Sequence, residues 1–230
     1  MRCPVCNSEK FDAYGGRPQA RCMSCGALER GRLSWMILQK LDHLRPGVRM
    51  LNMAPEPFML FLGAKAIGDS YMATDYDPEL FSKWDKQPVA KLDMCSDLAG
   101  MTPESFDVVM HNHVLEHLPC DVSTVLANLN RLLAPGGVHL FSAPIQPNRG
   151  TEEDLDPGLT PEERTQRFGQ EDHLRMFGDR DFMNIVERAM PLDKLVDMSE
   201  LITREELETA ALAADVFDSL NGNRVFVWRK

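Results

Sequence analysis

The sequence predicts an α/β protein in which a doubly wound, mostly parallel sheet carries a small metal-binding segment at its N-terminus. Two observations predict it. Short apolar runs alternate with helical patterns from residue 48 to residue 141, and four cysteines form two close pairs within the first 25 residues. Strands that are separated by helices pair in parallel through right-handed crossovers, so the alternation indicates a sheet covered on both faces.

The paired cysteines predict a zinc site. Cys3 and Cys6 form one C-x₂-C pair, and Cys22 and Cys25 form a second pair after fifteen intervening residues. Each pair lies on a tight turn that directs two thiolates at one point, and two pairs complete the tetrahedral site that Zn²⁺ prefers. Because four protein ligands leave no open coordination position, we expect a structural zinc.

The composition is that of a globular protein, with 43% hydrophobic and 26% charged residues in a chain of 230. This length holds a zinc ribbon over residues 1–27 and one α/β domain over residues 28–230. No run approaches the roughly 20 apolar residues that span a bilayer, and the N-terminus lacks the apolar core of a signal peptide. We therefore expect a cytoplasmic protein without membrane attachment, in which Cys95 and Cys120 are free thiols that pack in the interior.

Charge is unevenly distributed along the chain. The net charge is −10, yet residues 1–32 carry six basic and three acidic side chains. An acidic body repels a phosphate backbone, so nucleic acid is disfavoured as a partner, although the basic N-terminal segment keeps that option open.

The predicted elements follow in a regular order. Leu33, Ile37 and Leu41 recur at helical spacing before the first strand. Asp121 is placed to cap a later helix, which Gly136 helps to end. Apolar runs predict strands over residues 48–53, 70–74, 89–92, 106–110, 138–141 and 224–228.

Polar side chains stand at the ends of four successive predicted strands. They are Asn52, Asp75, Asp93 and His111. In a doubly wound sheet, ligands bind beyond the carboxyl ends of the strands. This edge is therefore the predicted ligand site.

Residues 144–180 interrupt the alternation of strands and helices. They are rich in proline, glycine and charge, and Thr160 and Glu163 form a predicted capping box with proline at the first helical position. Because the segment follows the fifth strand, at the edge where ligands bind, we expect it to fold over the site as a lid.

Two motifs carry a resemblance to a known family. Residues 105–119 read SFDVVMHNHVLEHLP, and residues 132–137 read LLAPGG. They resemble class I S-adenosylmethionine-dependent methyltransferases, in the subgroup with HVLEH and LxPGG motifs. The resemblance is specific over roughly residues 48–145 and implies a Rossmann-like sheet of seven strands, S-adenosylmethionine as cofactor and methyl transfer as the activity.

The resemblance implies which residues hold the nucleoside of the cofactor. Asp75, beside Tyr76, would accept hydrogen bonds from both ribose hydroxyls, because one fixed carboxylate can take two protons. Asp93 would bind the adenine amino group, with Met94 against the ring.

The methionine half of the cofactor would meet His111 and Asn112, chiefly through their backbone. The loop after the first strand departs from the family, which has a glycine-rich turn there. Asn52 stands in place of the acidic residue and Ala54 in place of a glycine. Glu56 falls near the expected position of the cofactor's α-ammonium group, which suits a carboxylate.

Methyl transfer needs alignment and, in some enzymes, a general base. The candidate catalytic residues are His113, which follows the fourth strand, and Asp172 and His173 in the lid segment. For His117 we prefer a structural hydrogen bond. A second metal held by His113, His173 and a carboxylate is a further alternative.

Three functions remain open at this point. The leading one is methyl transfer to a small-molecule, carrier-bound or peptide substrate. The second is methylation of an RNA base, with the ribbon contacting RNA, against which the acidic body counts. The third is a non-catalytic zinc-ribbon interaction protein on a degenerate methyltransferase fold, which the glycine-free first loop motivates.

Overall fold

The computed structural model describes residues 1–84 and 87–230, apart from the side chain of Trp84. Its centre is a sheet whose six strands are, in spatial order, β11 (Phe226–Arg229), β7 (Leu133–Ser142), β6 (Phe106–Asn112), β3 (Met50–Met53), β4 (Tyr71–Asp75) and β5 (Val89–Lys91). Only β11 runs antiparallel to its neighbour in this sheet. The predicted doubly wound, mostly parallel α/β fold is confirmed.

Helices cover both faces of the sheet. Because neighbouring residues of a strand face opposite sides, Val108 and Val109 belong to two different hydrophobic cores. The helices α1 (Glu29–Lys40) and α7 (Arg204–Thr209) are among those that pack into the Val108 core, and α3 (Val122–Leu132) and α5 (Phe182–Glu187) pack into the Val109 core.

The remaining helices are short. They are α2 (Ala64–Ile67), which continues a π-helical turn at Met59–Gly63, then α4 (Pro161–Phe168) and α6 (Met198–Leu201). Turns of 3₁₀ helix occur at Pro78–Trp84, Leu98–Gly100, Leu115–His117, Leu192–Lys194 and Ala214–Val216. Among the described residues, no helix is both long and apolar enough to cross a bilayer.

Two predicted helix starts are confirmed. The Asp121 carboxylate accepts a hydrogen bond from the Thr124 amide at 2.8 Å and caps α3. Thr160 and Glu163 form the reciprocal capping box of α4.

Residues 144–180 form a separate small sheet against the edge of the main one. Its strands, in spatial order, are β8 (Ile145–Gln146), β10 (Arg175–Gly178) and β9 (Glu152–Glu153). The Leu174 amide donates to the Glu116 carbonyl at 2.9 Å and ties the segment to the loop after β6. The predicted count of seven strands is not confirmed, because in the described part of the chain β7 leads into this small sheet and only β11 returns to the large one.

The N-terminal ribbon is a hairpin of β1 (Phe11–Tyr14) and β2 (Arg17–Cys22). The fully buried Arg32, on α1, joins the ribbon to the main domain. Its guanidinium donates to two groups of backbone carbonyls: Gln19, Ala20 and Ala27 at 2.8 to 3.3 Å, and Ala210 and Ala211 at 3.0 and 2.8 Å.

The prediction that Cys95 and Cys120 are free thiols in the interior is wrong. They form a disulfide, with Cys95 exposed and Cys120 half-buried. The loop after β5 and the loop after β6 end at the same edge of the sheet, which brings the two sulfurs together. A separation of 25 residues in the chain gave no sign of this contact.

Candidate active site and cysteine cluster

A cavity of about 560 Å³ opens at the carboxyl ends of β3, β4, β5 and β6. This volume is typical of small-molecule sites. It lies at the edge of the sheet where the sequence predicts the ligand site. The candidate residues that line it are Ala54, Asp75, Tyr76, Asp93, Met94, His113 and Asp172.

Two carboxylates face the cavity from neighbouring strand ends. One oxygen of Asp75 accepts from the Asp77 amide at 2.8 Å, and one oxygen of Asp93 accepts from the Cys95 amide at 2.8 Å. These local bonds fix both side chains at the edge of the cavity. Burial raises the pKa of Asp75.

The loop after β3 adopts a backbone conformation that favours glycine, although the residue there is alanine. Ala54 has a φ of 48°, in the left-handed region that favours glycine. Its amide donates to the Thr74 carbonyl at 2.8 Å, which holds the conformation. The turn therefore brings the backbone of Ala54 to the cavity wall, as the family's glycine would.

Two other candidates of this loop do not line the cavity. Asn52 is buried and donates to the Tyr71 hydroxyl at 2.8 Å. Glu56 lies 3.3 Å from the guanidinium of Arg30, and burial raises the pKa of Glu56. Both side chains are engaged inside the protein.

The side chains of His111 and Asn112 are also engaged in the interior. The Nε2 atom of His111 lies 3.0 Å from Nε2 of the buried His139. The Asn112 side chain accepts from Ser142 at 2.8 Å and donates to Ser34 at 3.3 Å. Neither residue lines the cavity.

His113 lines the cavity from a constrained position. Its φ of 54° is left-handed, and its Nε2 lies 2.8 Å from the Gly222 carbonyl, to which it donates as N–H. Burial lowers the pKa of His113 to about 3. The ring is therefore neutral at pH 7, with the unprotonated Nδ1 as its acceptor, and it is a weak base.

The lid segment contributes to the same region. Asp172 lines the cavity and lies 3.2 Å from Nδ1 of His117, which lines it too. His173 lies behind them, 3% exposed, with its ring edge-on to that of His117 at 4.8 Å between centroids. The structure brings the three candidate catalytic residues into one neighbourhood, but only His113 and Asp172 reach the cavity surface.

Most of the apolar lining and one buried carboxylate are not among the residues predicted from the sequence. The carboxylate is that of Glu116, whose side chain is 1% exposed. Its place in the HVLEH motif was the available signal. The other unnamed residues gave no local signal, and among them are Met53, Thr74, Leu80, Leu92, Leu118 and Leu174.

The four N-terminal cysteines converge as predicted. Their sulfurs all lie within 4.8 Å of one another, with Cys3–Cys25 at 3.7 Å and Cys6–Cys22 at 3.6 Å. Tetrahedral Zn²⁺ with Zn–S bonds near 2.3 Å spaces its ligands about 3.8 Å apart. The geometry fits zinc, and the hydrogen bond from Cys25 lowers the pKa of Cys3 to about 5, towards the thiolate that binds metal.

Comparison with known proteins gives a match over part of the chain. Residues 59–141 match the family model described as a methyltransferase domain. This stretch is therefore similar to a methyltransferase domain. The matched residues run from the turn after β3 through most of β7 and so include the loops that carry Asp75, Asp93 and His113.

Solved structures show the same fold. An S-adenosylmethionine-dependent methyltransferase from Mesorhizobium loti is 14% identical, with a TM-score of 0.54 over 88% of this chain and 100% of that one. One from Archaeoglobus fulgidus is 16% identical, with a TM-score of 0.50 over 87% of this chain and 96% of that one. A search of curated proteins found no match.

Proposed function

We propose that this protein transfers the methyl group of S-adenosylmethionine to a small-molecule, carrier-bound or peptide substrate. The observation that carries the proposal is the pair of fixed carboxylates, Asp75 and Asp93, at the mouth of the cavity formed by the strand ends. The bound cofactor would supply an electrophilic methyl group on a sulfonium ion, and the chain would supply alignment.

The residues present suit the nucleoside. The Asp75 carboxylate would accept from the ribose hydroxyls, and the Asp93 carboxylate would accept from the adenine amino group. Tyr76 and Met94 line the cavity and would offer apolar surface to the ring. The backbone at Ala54 would lie near the methionine half.

The part of the cavity lined by the loop after β6 and by the lid segment would hold the substrate. His113, His117 and Asp172 lie there with Leu118 and Leu174. Since His113 is a weak base, we assign it to orienting the acceptor through Nδ1. This assignment limits the substrate to one whose acceptor atom is already nucleophilic or is activated by another group in the site.

The ribbon supports this reading over an RNA substrate. Five of the six basic side chains of residues 1–32 are already engaged within the chain, which leaves less free positive charge for phosphate contacts. Arg2, Arg17, Arg21 and Arg30 pair with Glu9, Glu29, Asp12 and Glu56 at 2.5 to 3.3 Å, and Arg32 is buried. We propose that the ribbon holds a structural zinc through Cys3, Cys6, Cys22 and Cys25.

Calorimetry on the purified protein tests the proposal. We expect S-adenosylmethionine and S-adenosylhomocysteine to bind with one molecule per chain. Absence of binding by both would contradict the proposal and favour a non-catalytic interaction protein. The ratio of absorbance at 260 and 280 nm in the isolated protein provides the control, because co-purified RNA would favour the RNA methyltransferase.

A further inference from the structure

The Glu116 carboxylate is buried without a hydrogen-bond donor. It lies in the 3₁₀ turn Leu115–His117, directly after the loop that carries His113, and its side chain is 1% exposed. Within the described residues, neither carboxylate oxygen accepts a hydrogen bond. A buried carboxylate is costly unless it is paired, protonated or bound to a metal ion.

Three histidine nitrogens face one oxygen of this carboxylate. Nδ1 of His113 lies 3.6 Å from Glu116 Oε1, Nε2 of His117 lies 3.9 Å from it, and Nε2 of His173 lies 4.0 Å from it. These distances are too long for hydrogen bonds. They are the spacing of groups that surround a common point.

The opposite nitrogen of each ring is held by an oxygen. Nε2 of His113 lies 2.8 Å from the Gly222 carbonyl, and Nδ1 of His173 lies 2.9 Å from the Phe168 carbonyl. A carbonyl only accepts, so these nitrogens carry the ring protons. Nδ1 of His117 lies 3.2 Å from a carboxylate oxygen of Asp172.

In the neutral rings, the nitrogens that face Glu116 are therefore lone pairs. The cluster gathers three nitrogen lone pairs and a carboxylate with no donor between them, which is unfavourable for protein groups alone. It is, however, the arrangement of a metal site, in which each histidine donates its outer N–H to a carbonyl or carboxylate and presents the other nitrogen to the ion.

We propose that Glu116, His117 and His173 bind a divalent transition-metal ion. One ligand atom from each lies within 4.8 Å of the others, close to the spacing of about 3.4 Å around a tetrahedral ion with bonds near 2.1 Å. Two histidines and one carboxylate are a common ligand set for Zn²⁺ and Fe²⁺ with an open position. His113 lies outside this ligand set, with its Nδ1 3.6 Å from Glu116 Oε1, and Asp172 orients His117.

The open position would serve the substrate. His117 lines the cavity, so an ion beside it would contact a substrate bound in the part of the cavity near His117. A substrate with an oxygen donor, such as a hydroxyl or carboxylate group, would bind there and be held towards the methyl group. The metal site stands on its own residues, whereas this role in methyl transfer rests on the proposed function.

Metal stoichiometry tests the site without an activity assay. The metal-stripped full chain is dialysed against Co²⁺ or Zn²⁺, and bound metal is counted by mass spectrometry. We expect two ions per chain in the wild type and one in Glu116→Gln, in His117→Ala and in His173→Ala, with the remaining Co²⁺ showing only thiolate charge-transfer bands. The Cys3→Ser/Cys22→Ser variant should keep one ion and lose those bands.

A graded control guards against misfolding. Asp172→Ala removes the outer partner of His117 and should weaken binding of the second ion by about 10–100-fold without removing it. His43→Ala, outside the cluster, should still bind two ions. One ion per chain in the wild type, or two in Glu116→Gln and His173→Ala, would overturn the proposal. S-adenosylmethionine binding is measured separately, so loss of the metal site leaves the proposed function standing.

Discussion

The Asp75 side chain is fixed by a local hydrogen bond and lines the cavity. Asp75 lies at the last position of β4, and one of its oxygens accepts from the Asp77 amide. Asp69 precedes the amino end of the same strand and does not line the cavity. The two aspartates therefore form a matched pair for testing the ribose contact.

We expect Asp75→Ala to weaken S-adenosylmethionine binding by about 1.5–3 kcal/mol, or one to two decades in Kd, because a charge-assisted contact is lost. Calorimetry measures the change, and circular dichroism should show an intact fold. Asp69→Ala should bind normally. Normal binding by Asp75→Ala would remove the assignment of this residue to the cofactor.

At the scale of elements, the ribbon has little hydrophobic core of its own. Its two strands are short, and its buried apolar residues are few, among them Cys3, Ala20 and Cys22. A segment of this size has little apolar surface to bury and is commonly stabilised by metal ligation.

We expect Cys22→Ser to release the ribbon zinc and to make the first 30 residues sensitive to proteolysis, because one of four ligands is lost. Metal analysis and limited trypsin digestion measure both effects. Ser24→Ala, in the same turn but without a ligand, should behave as the wild type. An equal melting temperature with and without metal would show that the ribbon is not integral to the fold.

The segment of residues 144–180 is an element with two attachments. The Leu174 amide bonds to Glu116, and Arg175 reaches the Leu115 carbonyl at 2.5 Å, so the end nearest the cavity is fixed. The helix α4 precedes Leu174 and Arg175 in the same segment. A lid that closes on ligand would thus move mainly in its outer part.

We expect limited proteolysis to cut near α4 in the free protein and S-adenosylhomocysteine to slow that cleavage, because Asp172 and Leu174 line the cavity. Cleavage of the ribbon in the same digest is the internal control and should not change. Identical cleavage of the segment with and without ligand would contradict the lid.

At the scale of the whole molecule, Arg32 joins parts of the chain that are remote in sequence. Its five carbonyl partners come from the ribbon and from the end of α7, up to 179 residues away. Among the described residues no opposite charge contacts it directly, so the guanidinium is stabilised by carbonyl dipoles. The ribbon and the C-terminal part are in this way linked through one side chain.

We expect Arg32→Met to lower the free energy of unfolding by about 3 kcal/mol, because several buried carbonyls lose their donor. Thermal or urea denaturation measures it. The matched control is Arg45→Met, an exposed arginine that pairs with Asp42 within one loop, and its change should stay within about 0.5 kcal/mol. Equal stability of both variants would show that Arg32 does not join the two parts.

The sequence by itself determined what depends on local pattern. Cysteine spacing placed Cys3 and Cys25 in one cluster, the capping residues of α3 and α4 followed from their side chains, and the parallel pairing of the strands followed from the alternation of elements. Asp75 and Asp93 were found for the same reason, since parallel strands end at one edge of the sheet.

The tertiary structure decided what depends on contacts between distant residues. The disulfide of Cys95 with Cys120, the small sheet in place of a seventh strand, and the interior engagement of Asn52 all require knowing which loops meet. The same holds for Glu116, where the motif placed the carboxylate beside two histidines but only folding brought His173 to it. Hydrophobic and turn patterns act over a few residues, whereas burial and the convergence of lone pairs are properties of the packed chain.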